Sequence, residues 1–397
     1  MRKNIFLKVC TMLLALLLTV ACGDGSGKKE SAGKDTEAKT EVKASNKTAD
    51  KAARKSAKKA KRARKRRNSF LTPSSAGAPF ELLLVARGDD FQSGAVDSLY
   101  AVLTDEVAGI AQPEPCFKVT RINENNLSNT LRLCRNIIMV KIDPGMYTSC
   151  KMRYSKDVYA EPQIIMTIQA PNALKFINYV KENGESIVDF FTKAELNRQC
   201  DLLEHDHQPH IAGEAKKMFG CDIWAPAELT KLKTGRHFLW AHSERFVRGV
   251  EQNVNLVIYS YPYRDLNTFT EEYFVRKRDS VMKANVPGPR EGQYMMTTTP
   301  FVMVSDETVH GEYAQVVRGL WNIKDYDMGG PFVSVSRVDE KNQRVVVAEG
   351  FVFYPNHPKR DVIKRLEAAL YTLRLPEELD LERFSYNLDE IIIRPED

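Results

Sequence analysis

The 397-residue chain has no GxSxG elbow, no HExxH pair, no GxxxxGK[ST] loop and no GxGxxG fingerprint. Each of these is the local device of a particular chemistry, so none of the corresponding hydrolase, zinc-peptidase, P-loop or dinucleotide readings has support. Cysteine is sparse as well. There are seven, none in a CxxC spacing, which removes the zinc-finger and dithiol-redox readings. No apolar run reaches the roughly 20 residues that a membrane-spanning helix needs. No residue set identifies a reaction, and no cofactor is expected.

Acid is missing from one place in particular. The run KAARKSAKKAKRARKRR, Lys51 to Arg67, holds eleven Lys and Arg and no Asp or Glu. Residues 23–68 carry 17 basic and 6 acidic groups, a net of +11, whereas residues 69–397 carry a net of −8. The overall +6 therefore comes from one segment attached to an acidic remainder. Lys51, Arg54, Lys58, Lys61, Arg64 and Arg67 are its candidate surface-binding groups.

What precedes the run bears on its meaning. MRKN is a positive start, and Val9 to Val20 is a leucine-rich apolar core followed by Ala21-Cys22-Gly23. That layout suits a cleaved secretion signal, residues 1–21. A cysteine directly after a small residue resembles the lipobox of bacterial lipoproteins, although Thr19 stands where that pattern prefers leucine. The resemblance implies that Cys22 becomes the acylated first residue. The alternative is an ordinary signal peptide with Cys22 incidental. Several acyl chains hold a protein to a bilayer stably, where one alone is marginal.

Residues 22–78 then read as a tether, rich in Lys, Arg and Ala and too poor in large apolar groups to offset the entropy of ordering. Behind an export signal, the expected partners are the bilayer through Cys22 and anionic lipid or envelope polysaccharide through the basic run. Each basic group adds on the order of 1 kcal/mol near an anionic membrane. Nucleic acid is the reading to prefer only if the chain stays in the cytosol, since the run has no interleaved aromatics for base stacking. The expected address is the cell envelope, lipid-anchored, on the outer membrane facing the periplasm.

Alternating strand and helix patterns cover residues 79–215: FELLLVA, CFKVTRI, NIIMVKI and QIIMTIQ as strands, a helix after Ser93, a short one over 125–133, and a long one opened by Asn172 and interrupted at Asn183-Gly184. Residues 216–376 are richer in strands, with CDIWA, HFLWA, VNLVIYSY, PFVMVSD, YAQVVRGLW, PFVSVSRV and RVVVAEGFVFY, a helix near 270–285 and an amphipathic one from Pro358 to Leu373. Residues 377–397 read as a polar extension. The expected fold class is α+β, with mixed, largely antiparallel sheets and packed helices.

The segments CRNIIMVKID, EPQIIMTIQAPN, FGCDIWAP, FLWAHSE, MGGPFVSVSRVD, RVVVAEGFVFYP and KRDVIKRLEAALYTLRLP together resemble an uncharacterised bacteroidete lipoprotein family, domain of unknown function family 4837. The resemblance spans about residues 79–376 and implies an envelope lipoprotein. It brings no catalytic residues.

Three places hold candidate chemistry. EHDHQPH puts His205, His207 and His210 close together, imidazoles that suit zinc or copper; residues two apart diverge on a helix, and a solvated helix end is the plainer reading. Glu349 lies in the apolar strand VVVAEGFVF, on the face of Val345, Val347, Phe351 and Phe353, a buried carboxylate with Arg337 across the hairpin as its expected partner. Trp224, Trp240 and Trp321, with YSYPY at 259–263, are candidates for a ligand cleft or for core. DMGGPF, 327–332, reads as a tight turn feeding a strand. The expected function is an envelope lipoprotein that binds or organises neighbours; the alternative is a metal-dependent or carboxylate-based hydrolase.

Overall fold

In the computed structural model, which describes residues 72–391, the apolar run ELLLVA forms strand β1 (Glu81–Ala86). Almost every β1 side chain is buried, as expected for an interior strand covered on both faces. Its neighbours are β2 (Lys118–Asn123) and β3 (Asn136–Ile142), both parallel to it. Beyond β3 lie β5 (Ile164–Ala170), also parallel, and the antiparallel edge strand β4 (Lys151–Lys156). The five-stranded order is β2-β1-β3-β5-β4. KMRYSK gave no strand signal, because an edge strand that is mostly solvated needs no apolar alternation.

Helices α1 (Gly88–Gln92) and α2 (Ala95–Leu103) return the chain toward β2, with Val96 and Leu99 of α2 in the core. The segment 125–133 is not an α-helix. It forms two 3₁₀ turns, Glu124–Asn126 and Leu131–Leu133, because the side chains of Asn123 and Ser128 accept from nearby backbone N–H groups and compete with a helical ladder. Asn172 does open the long helix α3 (Ala173–His205), accepting from Lys175 N–H at 3.0 Å. At 33 residues it is about 50 Å long. It runs unbroken through Asn183-Gly184. Gly184 is where α2 crosses it: a Cβ there would lie 2.9 Å from Val102 Cγ1.

Helix α4 (Pro209–Phe219) starts with proline in its first turn and stops at Gly220, which is left-handed at φ 67°. The second sheet follows: β6 (Lys231–Gly235), β7 (Phe238–Val247), β8 (Val250–Pro262), β9 (Met295–Val309), β10 (Glu312–Ile323), β11 (Tyr326–Asp339) and β12 (Arg344–Phe353). All its pairings are antiparallel, in the order β6-β7-β8-β12-β11-β10-β9. CDIWA is not one of its strands; its buried Cys221, Ile223 and Ala225 pack in the core. The fold is α+β, and over both sheets antiparallel pairings predominate.

Two cores cover the seven-stranded sheet, and alternation along β12 assigns them. Val346, Ala348 and Val352 face α4, the end of α3 and α6 (Arg360–Tyr371). Val345, Val347 and Phe351 face α5 (Glu271–Asn285), whose N-terminus Thr270 caps by accepting from Tyr273 N–H at 3.3 Å. Helix α3 belongs to both halves, with Phe176, Val180, Phe190 and Phe191 against the first sheet and Leu196, Cys200 and Leu203 in the second core. The segment after Leu375 is not a loose polar extension. Phe384 and Leu388 are buried, the first in the second core and the second in the first. Among the described residues no helix is long and apolar enough to cross a membrane.

Candidate functional site

The histidines of EHDHQPH do not converge. His205 is the exposed last residue of α3, His210 is exposed in the first turn of α4, and His207 lies in the turn between them, stacked on Trp224 with ring centroids 5.8 Å apart. Its Nδ1 is 2.9 Å from the Leu203 carbonyl. Among the described residues no three His, Cys, Asp or Glu side chains gather as a metal site. Cys22 and the basic run from Lys51 to Arg67 lie outside the described residues.

Glu349 is fully buried, but Arg337 is not its partner. The register sets Ser334 opposite Glu349 and Arg337 opposite Val346, so Arg337 points to the other face of the sheet, where its guanidinium binds Glu378 at 2.8 Å. The partner of Glu349 comes from α5. Arg278 Nε lies 3.0 Å from both carboxylate oxygens and Nη2 lies 2.7 Å from Oε1. The same guanidinium donates to Thr297 Oγ1 at 2.9 Å and sits 4.1 Å over the Phe332 ring. Burial pushes the Glu349 carboxyl above its ordinary value, against the opposing pull of Arg278. With Arg278 holding both oxygens and no exposed surface, this carboxylate has no route to a substrate and serves as an internal strut.

Beside that strut the face of the sheet opens into a cavity of about 150 Å³. Two of the three tryptophans meet in it, Trp240 from β7 and Trp321 from β10. Trp224 is elsewhere, under Arg374, and Tyr259 and Tyr261 pack in the core against α5. Cross-strand pairing builds one wall. His242 lies opposite Asn255, and Asn255 opposite Phe351; one step along, Glu244 lies opposite Asn253. The chain leaving α5, residues 286–289, closes the other side. Met295 joins the cavity to the strut, lying in the lining with its sulfur 3.5 Å from Arg278 Nη2.

The polar groups of this cavity divide into satisfied and unsatisfied. Trp240 Nε1 donates to Asn255 Oδ1 at 3.0 Å, and Asn255 Nδ2 donates to the Phe351 carbonyl at 3.4 Å. His242 Nδ1 is 3.3 Å from Glu244, which also accepts from Lys231 at 2.6 Å. Burial lowers the His242 value and so favours the neutral ring. Two buried atoms have no partner among the described residues: the Trp321 indole N–H, on a side chain 2% exposed, and Asn253 Oδ1. Both atoms are sealed from accessible space, the indole nitrogen lying beside Gly330, so neither is presented to a ligand in the cavity.

DMGGPF supports the site from beneath. It is no turn; it runs inside β11, and the reversal falls at Asp325, with φ 55°. Gly330 pairs with Trp321 in the register, and a Cβ on it would meet the Val352 carbonyl oxygen at 2.0 Å. The glycines thus let three strands close in beneath the indole. His242, Asn253, Asn255 and Phe351 gave no site signal in the sequence. The trace they leave is polar residues at spacing two inside apolar strands, WAHSE and QNVN, both pointing to one face.

Residues 208–372 match the family model of a domain of unknown function, DUF4837. Over those residues the chain is similar to the DUF4837 family. Residues 75–204 match a different model, a second domain of unknown function, DUF8532. The resemblance to the first family therefore does not extend over residues 79–376: CRNIIMVKID and EPQIIMTIQAPN fall within the second match. The two matches leave only residues 205–207 between them, at the joint from α3 to α4, and the cavity lies wholly on the DUF4837 side. No curated protein matches the chain.

Proposed function

We propose that the chain is a lipid-anchored protein of the cell envelope whose DUF4837 half binds a small ligand. The binding reading rests on one observation, the cavity walled by Trp240, Trp321 and Phe351 with His242, Glu244 and Asn255 among its polar groups. Small-molecule sites have this composition: mostly apolar and aromatic walls with a few placed polar groups. The anchoring reading rests on sequence, on the apolar core ending at Ala21-Cys22 and the basic run that follows. In this reading, acyl chains on Cys22 hold the protein to the outer membrane facing the periplasm. Lys51, Arg54, Lys58, Lys61, Arg64 and Arg67 bind anionic lipid or envelope polysaccharide.

Anchoring is tested by the intact mass of the mature N-terminus and by membrane fractionation of wild type and Cys22→Ser. The expected result is an acylated Cys22 in the membrane fraction, lost in the variant. A chain that keeps residues 1–21 in the cytosol overturns it and makes nucleic acid the partner of the basic run. Binding is tested separately by intrinsic fluorescence, because Trp240 and Trp321 line the cavity and Trp224 does not.

A further inference from the structure

Outside the tryptophan cavity, we infer that a basic cleft on the outer face of α5 binds a phosphomonoester, free in solution or carried on a lipid. The cleft holds about 310 Å³ and is lined by Pro262, Arg264, Tyr273, Arg276, Lys277 and Ser280. It shares no lining residue with the tryptophan cavity. Helical spacing accounts for four of the six. Tyr273, Arg276, Lys277 and Ser280 stand at i, i+3, i+4 and i+7 along α5 and so share one face. Phe274, Arg278 and Met282 take the buried face, which leaves this ridge to solvent. Arg264 joins it from the loop that follows β8.

Three cations meet in this cleft, and no carboxylate lines it. Among the described residues, neither Arg264 nor Lys277 has a carboxylate partner. Arg276 has one, Glu272 at 3.3 Å, but the two side chains are 66% and 88% exposed, and such a pair holds the guanidinium weakly. Nearby acids are engaged elsewhere: Asp279 accepts from Thr297 N–H at 2.8 Å and Asp265 from Asn267 N–H at 2.9 Å. Aromatic rings hold the cations instead. Lys277 Nζ is 5.1 Å from the Tyr261 ring centroid and 5.9 Å from that of Tyr273, and Arg276 Cζ is 5.5 Å from the Tyr273 ring. A ring face orients a cation without cancelling its charge, so that charge stays available to an incoming anion.

The donor set selects among anions. A carboxylate brings one charge and two oxygens, which a single guanidinium fork satisfies. Two arginines, a lysine and the hydroxyls of Tyr273 and Ser280 match a ligand with more charge and more acceptors. A phosphomonoester brings close to two charges above its second ionisation, near about 6, and three strongly accepting oxygens. Arginine forks grip such oxygens in pairs, and lysine adds a point charge. A phosphodiester, with one charge, uses the cleft only in part. The cleft is half open, so it grips the phosphate and leaves what carries it outside.

The test is saturation-transfer NMR titration of the full mature chain, carrying Cys22→Ser so that no detergent is needed, at about pH 8, where the monoester is a dianion. The probes are methyl phosphate, dimethyl phosphate, acetate and dihexanoyl phosphatidic acid. Methyl phosphate should bind, and bind more tightly than dimethyl phosphate or acetate. Arg264→Gln and Lys277→Gln should each weaken it about tenfold, as loss of one charged hydrogen bond does. Neither side chain is buried, and unfolding midpoints measured alongside separate a folding defect. Lys216→Gln removes the same charge from α4 and should change nothing. Every variant keeps the run from Lys51 to Arg67, so the differences read the cleft alone. Phosphatidic acid bound more tightly than methyl phosphate assigns a lipid headgroup, and equal binding assigns a soluble phosphate. Acetate bound as tightly as methyl phosphate overturns the phosphomonoester. Methyl phosphate undiminished in both cleft variants, or diminished as much by Lys216→Gln, overturns the site.

Discussion

At the scale of single residues, the Glu349–Arg278 pair makes the sharpest claim. Both groups are fully buried, and the guanidinium spends its donors on Glu349, Thr297 and the Met295 sulfur. Removing one partner leaves the other charged and desolvated, whereas replacing both with apolar groups removes the need for either. Arg278→Met should therefore destabilise the protein by about 3–5 kcal/mol in urea unfolding, and Arg278→Met with Glu349→Leu should recover most of that loss. Additive costs in the double variant would sink the strut reading. Burial of Glu349 could be read from the sequence because alternation along RVVVAEGFVF fixes its face. Its partner could not. Arg337 is nearer in sequence, but β11 turns it to the opposite side, and the true partner arrives from a helix some 70 residues upstream. Alternation along one strand carries no information about which helix lies across it.

At the scale of elements, Gly184 shows the same limit. In the sequence, Asn-Gly within a helical pattern signals a break, because both residues favour turns. Structurally, the glycine is a contact. It gives α2 room to cross α3, and the side chain it accommodates is Val102, whose branched Cβ leaves little rotamer freedom in a helix. Alanine is better than glycine in a helix by about 1 kcal/mol. Against that stands a Cβ at 2.9 Å from Val102 Cγ1, overpacking that costs typically ~1–3 kcal/mol. Gly184→Ala should thus destabilise on balance, and Val102→Ala in the same chain should turn the change into a gain relative to Val102→Ala alone. A Gly184→Ala protein more stable than wild type would show that the crossing has slack. Strands with a buried face, such as NIIMVKI and RVVVAEGFVF, were legible in the sequence, and so were the edge segments CFKVTRI and PFVMVSD, which keep apolar residues though little of them is buried. The ones that left no signal, β4 and β6, are edge strands rich in lysine, where charge guards the open hydrogen-bonding edge and erases the apolar pattern.

At the scale of the whole molecule, the last described segment ties the two halves together. Phe384 packs on Tyr371 of α6 at 5.4 Å between ring centroids, Tyr386 N–H donates to Asn197 Oδ1 of α3 at 2.7 Å, and Leu388 enters the first core. Deleting residues 377–397 should lower the unfolding midpoint of both halves, not trim a neutral tail. Loss of a buried Phe and a buried Leu alone is on the order of 5 kcal/mol or more. Unchanged stability would restore the polar-extension reading.

Acid should lower the stability of this molecule in two windows, each led by one group whose value lies far from the ordinary one. Burial holds His310 at about 4, below its ordinary 6.5. Between those values the unfolded chain takes up a proton that the folded protein refuses, so stability falls as pH drops from about 6.5 to about 4. For Glu367, burial opposes the charge, yet Arg318 and Lys364 more than offset it and hold the carboxyl at about 2. Its contribution is complete above the ordinary value of 4.5 and is lost as pH falls toward 2, a change of about 3 kcal/mol for this fully buried group. Urea midpoints measured from pH 7 to pH 2 should therefore show one decline beginning near 6.5 and a second beginning near 4.5. His310→Gln should shrink the first, leaving the share that His242 contributes in the same direction, and leave the second. Glu367→Gln should flatten the second while lowering stability already at neutral pH, since it leaves Arg318 and Lys364 without their shared carboxylate. A first decline undiminished in His310→Gln would assign the upper window to some other group.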